Sequence, residues 1–297
     1  MNVHPETQDH IRRFLLPNTD IRGEIVTLEH SYREALENQT LPEHLRPIAG
    51  QFLCAAAMIS EILKFDGRVT VQARGDGPVS LIMAECNAAG ELRGTLSVPE
   101  PASLASNIDQ NLQELIGRGA LVIILEPAQG ERYQGIVSLE HGSLGDCLAH
   151  YFEQSEQIPT YFSLFADHRH CGGLFLQCLP SKTEEDLARR DELWETALYL
   201  TNTVEQHEFF TSDHESLLYR IFHEHGCQVF PAKALRFKCQ CSRERSARAL
   251  RTLPEAELLD MLEGRDNLIL DCQFCGKRYV YSKSDVTALL RPAGKLH

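Results

Sequence analysis

No apolar run in this 297-residue chain approaches the roughly 20 residues that a membrane-spanning helix needs, so no segment is a candidate span. The first twenty residues, MNVHPETQDHIRRFLLPNTD, carry acidic side chains and only a short apolar stretch, which does not fit a secretory signal peptide. Internal repeats and low-complexity tracts are absent, which excludes a repeat array. There is no G-x4-G-K-[ST] phosphate loop. Positive charge is scarce. The 29 Lys+Arg against 42 Asp+Glu leave a formal −13, which argues against a nucleic-acid surface along the whole chain. These absences point to a cytoplasmic protein, in a compartment where thiols stay reduced.

What is present reads as a soluble globular protein of roughly two domains, 43% hydrophobic and 24% charged. From Lys233 to the end the formal charge is +5, and before it −18, which places a boundary near Pro231. Residues 1–180 read as an α+β domain. Ile21 to Leu28 alternates like a strand. Pro42 to Lys64 is apolar at helical spacing, with Leu45, Ile48, Phe52, Ala55, Ala56, Ile59 and Leu63 on or near one face. RVTVQAR, VSLIMAEC and ELRGTLSV follow as sequential antiparallel strands, the first two joined by the turn GDGP. ALVIILEP and RYQGIVSLE form a hairpin, LGDCLAHYFEQS a helix, and TYFSLFAD with GLFLQCLP a last strand pair. Residues 181–232 read as a helical linker. Glu184 to Val204 has an apolar stripe through Leu187, Trp194, Ala197, Leu198, Thr201 and Val204. Ser212 and Glu215 make a capping-box pattern before Leu217, Leu218, Ile221 and Phe222.

Ten cysteines in a cytosolic chain more often bind metal or do redox chemistry than form a disulfide framework. Four fall in close pairs: Cys239-Gln240-Cys241, then thirty residues, then Cys272-Gln273-Phe274-Cys275. Two close pairs separated by a compact insert are the plan of a four-thiolate zinc site. Residues 233–297 carry one helix over Pro254 to Glu263 and a short hairpin near Cys275, a core small enough to need a metal staple. Four thiolates close the coordination shell, so no position remains for an activated water, and zinc hydrolase or deaminase chemistry is disfavoured. Three uses remain open: structural support, presentation of a basic surface to nucleic acid, and a redox switch. Arg236, Lys238, Arg243 and Arg245 are expected to make the thiols' neighbourhood electropositive.

FKCQCSRERSARALRTLP followed by CQFCGKRYVYSKSDV resembles the C-terminal zinc segment of the bacterial redox-regulated chaperones of the heat-shock protein thirty-three family. The resemblance extends through LKFDGRVTVQARGDGPVSL and GERYQGIVSLE, and so spans most of the chain. It implies a 1–180 chaperone core, a redox-sensitive helical linker and a 233–297 zinc-binding switch. It further implies one zinc on Cys239, Cys241, Cys272 and Cys275 in the reduced form. On oxidation it implies disulfides Cys239–Cys241 and Cys272–Cys275, loss of zinc, and unfolding of the C-terminal region. Apolar side chains of the linker, Leu187, Trp194, Leu198, Leu217, Leu218, Ile221 and Phe222, then become the candidate surface for unfolding client proteins. The activity implied is holding without ATP under oxidative stress, with a homodimer on activation and no bond-making catalysis. The competing readings are a zinc ribbon that binds RNA and, more weakly, a thiol oxidoreductase using Cys272 and Cys275.

Other polar clusters have plainer readings. His168, His170 and Cys171 read as a loop between two strands, and His223, Glu224 and His225 as the exposed end of a helix. Cys54, Cys86, Cys147 and Cys178 read as core side chains. Cys227 has no assigned role.

Overall fold

The computed structural model describes residues 9–17, 19–63, 66–99, 111–180 and 187–290. The chain divides into two compact units, Met1–Lys238 and Cys239–His297. In the first, the described residues form β1 (His10–Leu15), β2 (Ile21–Leu28), α1 (His30–Glu37), α2 (Arg46–Leu63), β3 (Gly67–Gly75), β4 (Leu81–Asn87), β5 (Glu91–Ser97), α3 (Leu112–Ile116), β6 (Gly119–Pro127), β7 (Tyr133–Val137), α4 (Leu144–Glu156), β8 (Thr160–Ala166) and β9 (Cys171–Cys178). The helices α5 (Leu187–Asn202), α6 (Gln206–Thr211) and α7 (His214–Phe222) follow, and then the short strands β10 (Gln228–Val229), β11 (Lys233–Ala234) and β12 (Arg236–Phe237). The architecture is α+β. One sheet runs β10-β1-β2-β9-β8 with β11 also on β1, and the other runs β12-β5-β4-β3-β6-β7.

Helix α2 packs against strands of both sheets. The spacing of its large residues suggests a one-sided stripe, yet the helix is buried on nearly every face, from Pro47 to Ile62. Small side chains make this possible. Ala55, Ala56 and Ala57 fill the faces between the large residues, and at Gly50 an added Cβ would stand 2.7 Å from the Cys171 Cβ. A helix closed in by two sheets has no broad solvent-facing stripe.

Strand alternation gives the first sheet two apolar faces. Ile11, Val26, Leu28 and Phe175 point into the core that holds α2. Phe14, Leu16, Ile21, Ile25, Leu174, Leu176 and Cys178 point the other way, and α5–α7 cover them with Ala197, Val204, Phe209, Leu217, Leu218, Ile221 and Phe222. Phe14 and Phe222 stack with ring centroids 5.7 Å apart. The cap of α7 is Asp213, whose carboxylate accepts from the Ser216 amide at 2.8 Å; Ser212, the expected cap, lies one residue outside. Phe209 on α6, which the linker stripe did not include, is also buried in this layer.

Residues 233–238, expected with the zinc segment, belong to the first unit. β11 pairs with β1, and β12 pairs with β5 as a parallel strand. The Lys238 amide donates to the Leu92 carbonyl at 2.9 Å. Lys233 meets Glu61 at 2.7 Å. Glu91 receives Lys238 at 2.5 Å and Arg236 at 2.7 Å, and these two cations, Lys238 first, hold its carboxyl down at about 2. The clasp is therefore fully present above the ordinary glutamate range and weakens only as pH falls from about 4.5 toward 2. Glu91→Gln is expected to speed hydrogen exchange at the Arg236 and Lys238 amides several-fold at neutral pH; unchanged exchange would show that backbone pairing alone secures this segment.

Candidate metal centre

The second unit contains α8 (Arg243–Leu250), α9 (Glu255–Leu262), β13 (Asn267–Asp271), β14 (Arg278–Ser282) and α10 (Lys283–Leu290). Its buried core is Leu250, Leu258, Leu262, Leu268, Tyr279, Tyr281 and Val286. β13 and β14 pair antiparallel from Asn267↔Ser282 to Asp271↔Arg278, which places Cys272 to Lys277 as the connecting turn. The Gly276 amide donates to the Cys272 carbonyl at 2.8 Å, and Gly276 has φ of +67°, a conformation that favours glycine at this position.

Cys239 and Cys241 flank Gln240, whose carbonyl accepts from Arg245 at 2.9 Å. Ser242 caps α8 by accepting from the Arg245 amide. Arg243 donates to the Val280 carbonyl at 2.6 Å and to Asp285 at 3.0 Å, and its guanidinium lies 4.4 Å from the Tyr281 ring centroid. The CSRER stretch thus ties the Cys-x-Cys segment to the hairpin.

All four sulfurs, of Cys239, Cys241, Cys272 and Cys275, lie within 4.8 Å of one another. The Cys239 and Cys272 sulfurs are 3.6 Å apart, and those of Cys241 and Cys275 are 3.4 Å apart. Sulfurs at about 2.3 Å around a tetrahedral zinc stand about 3.8 Å from each other, so the cluster has the right size and donor set for that ion. Among the described residues it is the one such gathering of three or more His, Cys, Asp or Glu ligand atoms. Every thiol in the chain is free. Burial pushes Cys239 and Cys275 up. Burial also acts on Cys241, but the Tyr279 hydroxyl, donating at 3.0 Å, and the neighbouring thiols outweigh it and bring Cys241 to about 7. Cys241 therefore has thiolate character near neutral pH, the form that binds metal and reacts with oxidants.

The basic residues are less free than their sequence suggests. Arg243 pairs with Asp285, while Arg236 and Lys238 sit on Glu91 in the first unit. Tyr279 went unnoticed in the sequence. The signal available was the alternation of β14, which turns Tyr279 and Tyr281 to the buried side.

A family model described as Hsp33 protein matches residues 9–282. The chain belongs to the Hsp33 family. A 33 kDa chaperonin of Ectopseudomonas mendocina is 41% identical over 288 residues, 96% of each chain. The 33 kDa chaperonin of Shewanella frigidimarina is 40% identical over 95% of each. The crystal structure of the 33 kDa chaperonin from Thermotoga maritima superposes with a TM-score of 0.77 at 25% identity, covering 94% of this chain and 97% of that one. The relatives' shared name is that of a chaperone, and this Hsp33 chain has the four-cysteine group that could hold a metal ion.

The remaining predicted residues of this Hsp33 chain fall elsewhere. Leu217, Leu218, Ile221 and Phe222 are buried on the first sheet, and Trp194 and Leu198 are half-buried beside them. Leu187 opens α5, and its side chain lies outside the described residues, as do the expected helical positions 184–186. His168 is exposed in the β8–β9 loop, His170 meets Asp167 at 3.3 Å, and Cys171 is fully buried, so the three do not converge on a site. His223 to His225 form a short, largely exposed turn of 3-10 helix. Cys227 sits at the edge of the α5–α7 layer, where burial pushes it up to about 11.

Proposed function

We propose that this chain is a cytoplasmic, redox-regulated holdase that needs no ATP. In the reduced form one zinc is held by Cys239, Cys241, Cys272 and Cys275. The observation that carries the reading is the convergence of four sulfurs within 4.8 Å on a unit whose described residues include only seven buried in its core. Zinc, when bound, supplies a four-way cross-link that this small core lacks.

Peroxide oxidises the thiols in the pairs Cys239–Cys241 and Cys272–Cys275. As each disulfide forms, its pair of zinc-bound thiolates gives up two electrons, and these with two protons from solvent reduce one peroxide to two waters. Two close sulfur contacts, Cys239 with Cys272 and Cys241 with Cys275, run between the pairs, so forming the within-pair disulfides turns each sulfur toward its sequence neighbour and dismantles the ligand set. The second unit then unfolds and the α5–α7 layer loosens. Leu217, Leu218, Ile221 and Phe222, with Trp194, Leu198 and Leu187, become available to unfolded clients. Engagement of Arg236, Lys238 and Arg243 with carboxylates supports this reading over RNA binding. Dimerisation on activation is part of the proposal.

The test follows zinc and client aggregation on one sample. Peroxide with mild heat is expected to release one zinc per chain, read with a chromogenic chelator, and to suppress aggregation of a denatured client. Zinc release with no suppression removes the chaperone reading.

A further inference from the structure

We propose that the closely packed imidazoles of His10 and His214 form a proton-operated latch, through which mild acid frees α7 from the first sheet while the four C-terminal thiols stay reduced. The holding activity that would follow rests on the function proposed above; the latch itself does not.

His214 is the first residue of α7 and is 3% exposed, and His10 on β1 is 8% exposed. Their ring centroids are 4.2 Å apart. The His214 Nε2 lies 2.8 Å from the Thr27 hydroxyl on β2, while its Nδ1 is buried without a hydrogen-bond partner. This arrangement suits a neutral ring. A proton on Nδ1 would create a buried donor with nothing to accept it. It would also place positive charge at a helix N-terminus, against the helix dipole.

The surrounding charges point the same way. His10 and Arg12 face His214 from β1, and Arg12 is itself drawn to Glu215 at 3.0 Å. Among the described residues, Asp213 supplies the opposing charge on the ring, and its carboxylate caps α7. Burial first, then His10 and Arg12, hold His214 well below the ordinary histidine value, against the smaller pull of Asp213. Asp213 is held below the usual carboxylate range by the Ser216 amide, so it stays ionised while histidines titrate.

The direction of the effect follows from linkage. The packed ring refuses the proton that a released ring accepts at about pH 6.5. Packing is therefore fully favoured above that pH and is lost as pH falls below it. Each further pH unit multiplies the released population by up to about tenfold, until the packed ring itself titrates. What is released matters, because α7 contributes Leu217, Leu218, Ile221 and Phe222 to the layer over the sheet.

Trp194, the chain's only tryptophan, packs against that same layer and serves as reporter. The experiment takes the full chain, reduced and zinc-loaded, from pH 7.5 to 5.0, reading Trp194 emission, chelator-accessible zinc and client aggregation together. A red shift of emission below about pH 6.5, with zinc retained and absent in His214→Gln, is expected. An identical shift in His214→Gln, or a shift that only accompanies zinc release, overturns the latch. NMR titration of the His214 ring in the unsubstituted chain guards against a misfolded variant. Protonation near pH 6.5 with α7 still packed also overturns it. If Trp194 responds as expected and aggregation does not, the latch stands and neither α7 nor the sheet face beneath it is the client-binding surface.

Discussion

Cys272→Ser is expected to lower bound zinc from one per chain to none and to unfold residues 239–290 in reducing buffer. Cys272 closes the β13–β14 turn and its sulfur is 3.6 Å from that of Cys239. Serine offers a poor ligand, and three thiolates leave an open coordination position in place of a closed shell. Structural zinc contributes apparent binding free energies of about 10–16 kcal/mol in comparable small domains, far more than a core of this size supplies alone. The variant should therefore lose amide protection throughout β13 and β14 and bind client proteins without oxidant. Metal analysis and hydrogen exchange check both halves. One zinc per chain retained in the variant would show that Cys272 is not a ligand.

Phe222→Ala should produce client binding by a different route, with zinc still bound and all thiols reduced. Phe222 is fully buried, stacks on Phe14 and sits in the α5–α7 layer. Truncating a buried phenylalanine costs about 3–5 kcal/mol, a large share of the roughly 5–15 kcal/mol that stabilises a typical domain. That cost falls on the α5–α7 layer, so local release should precede global unfolding. Ile136→Ala, at a side chain 72% exposed on β7, is the control and should change nothing. The check is aggregation suppression under reducing conditions, with zinc measured alongside. If exchange shows α7 released while the reduced variant holds no client, neither α7 nor the sheet beneath it is the binding surface.

Most strands of the first unit were legible because alternation is a local property. Ile21–Leu28 and the run from Gly67 to Ser97 could be read without knowing their partners. The four-cysteine cluster was legible for a related reason, since two close pairs declare shared chemistry even before a fold brings them together. Other features were hidden. The all-round burial of α2 depends on two sheets formed by residues far from it in the chain. The placement of residues 233–238 depends on edges offered by β1 and β5, some 140 residues or more earlier. Two-residue strands carry no periodicity to read.

The sequence by itself determined the α+β character, the pairing of cysteines by chemistry and the acidic bulk with its basic tail, because each is written in residue type and short spacing. Only the tertiary structure decided that α5–α7 lie on an apolar sheet face, that Tyr279 donates to Cys241, and that a buried imidazole packs against its partner from β1. Those facts depend on contacts between distant segments, where burial and desolvation, not local pattern, set both packing and proton affinity.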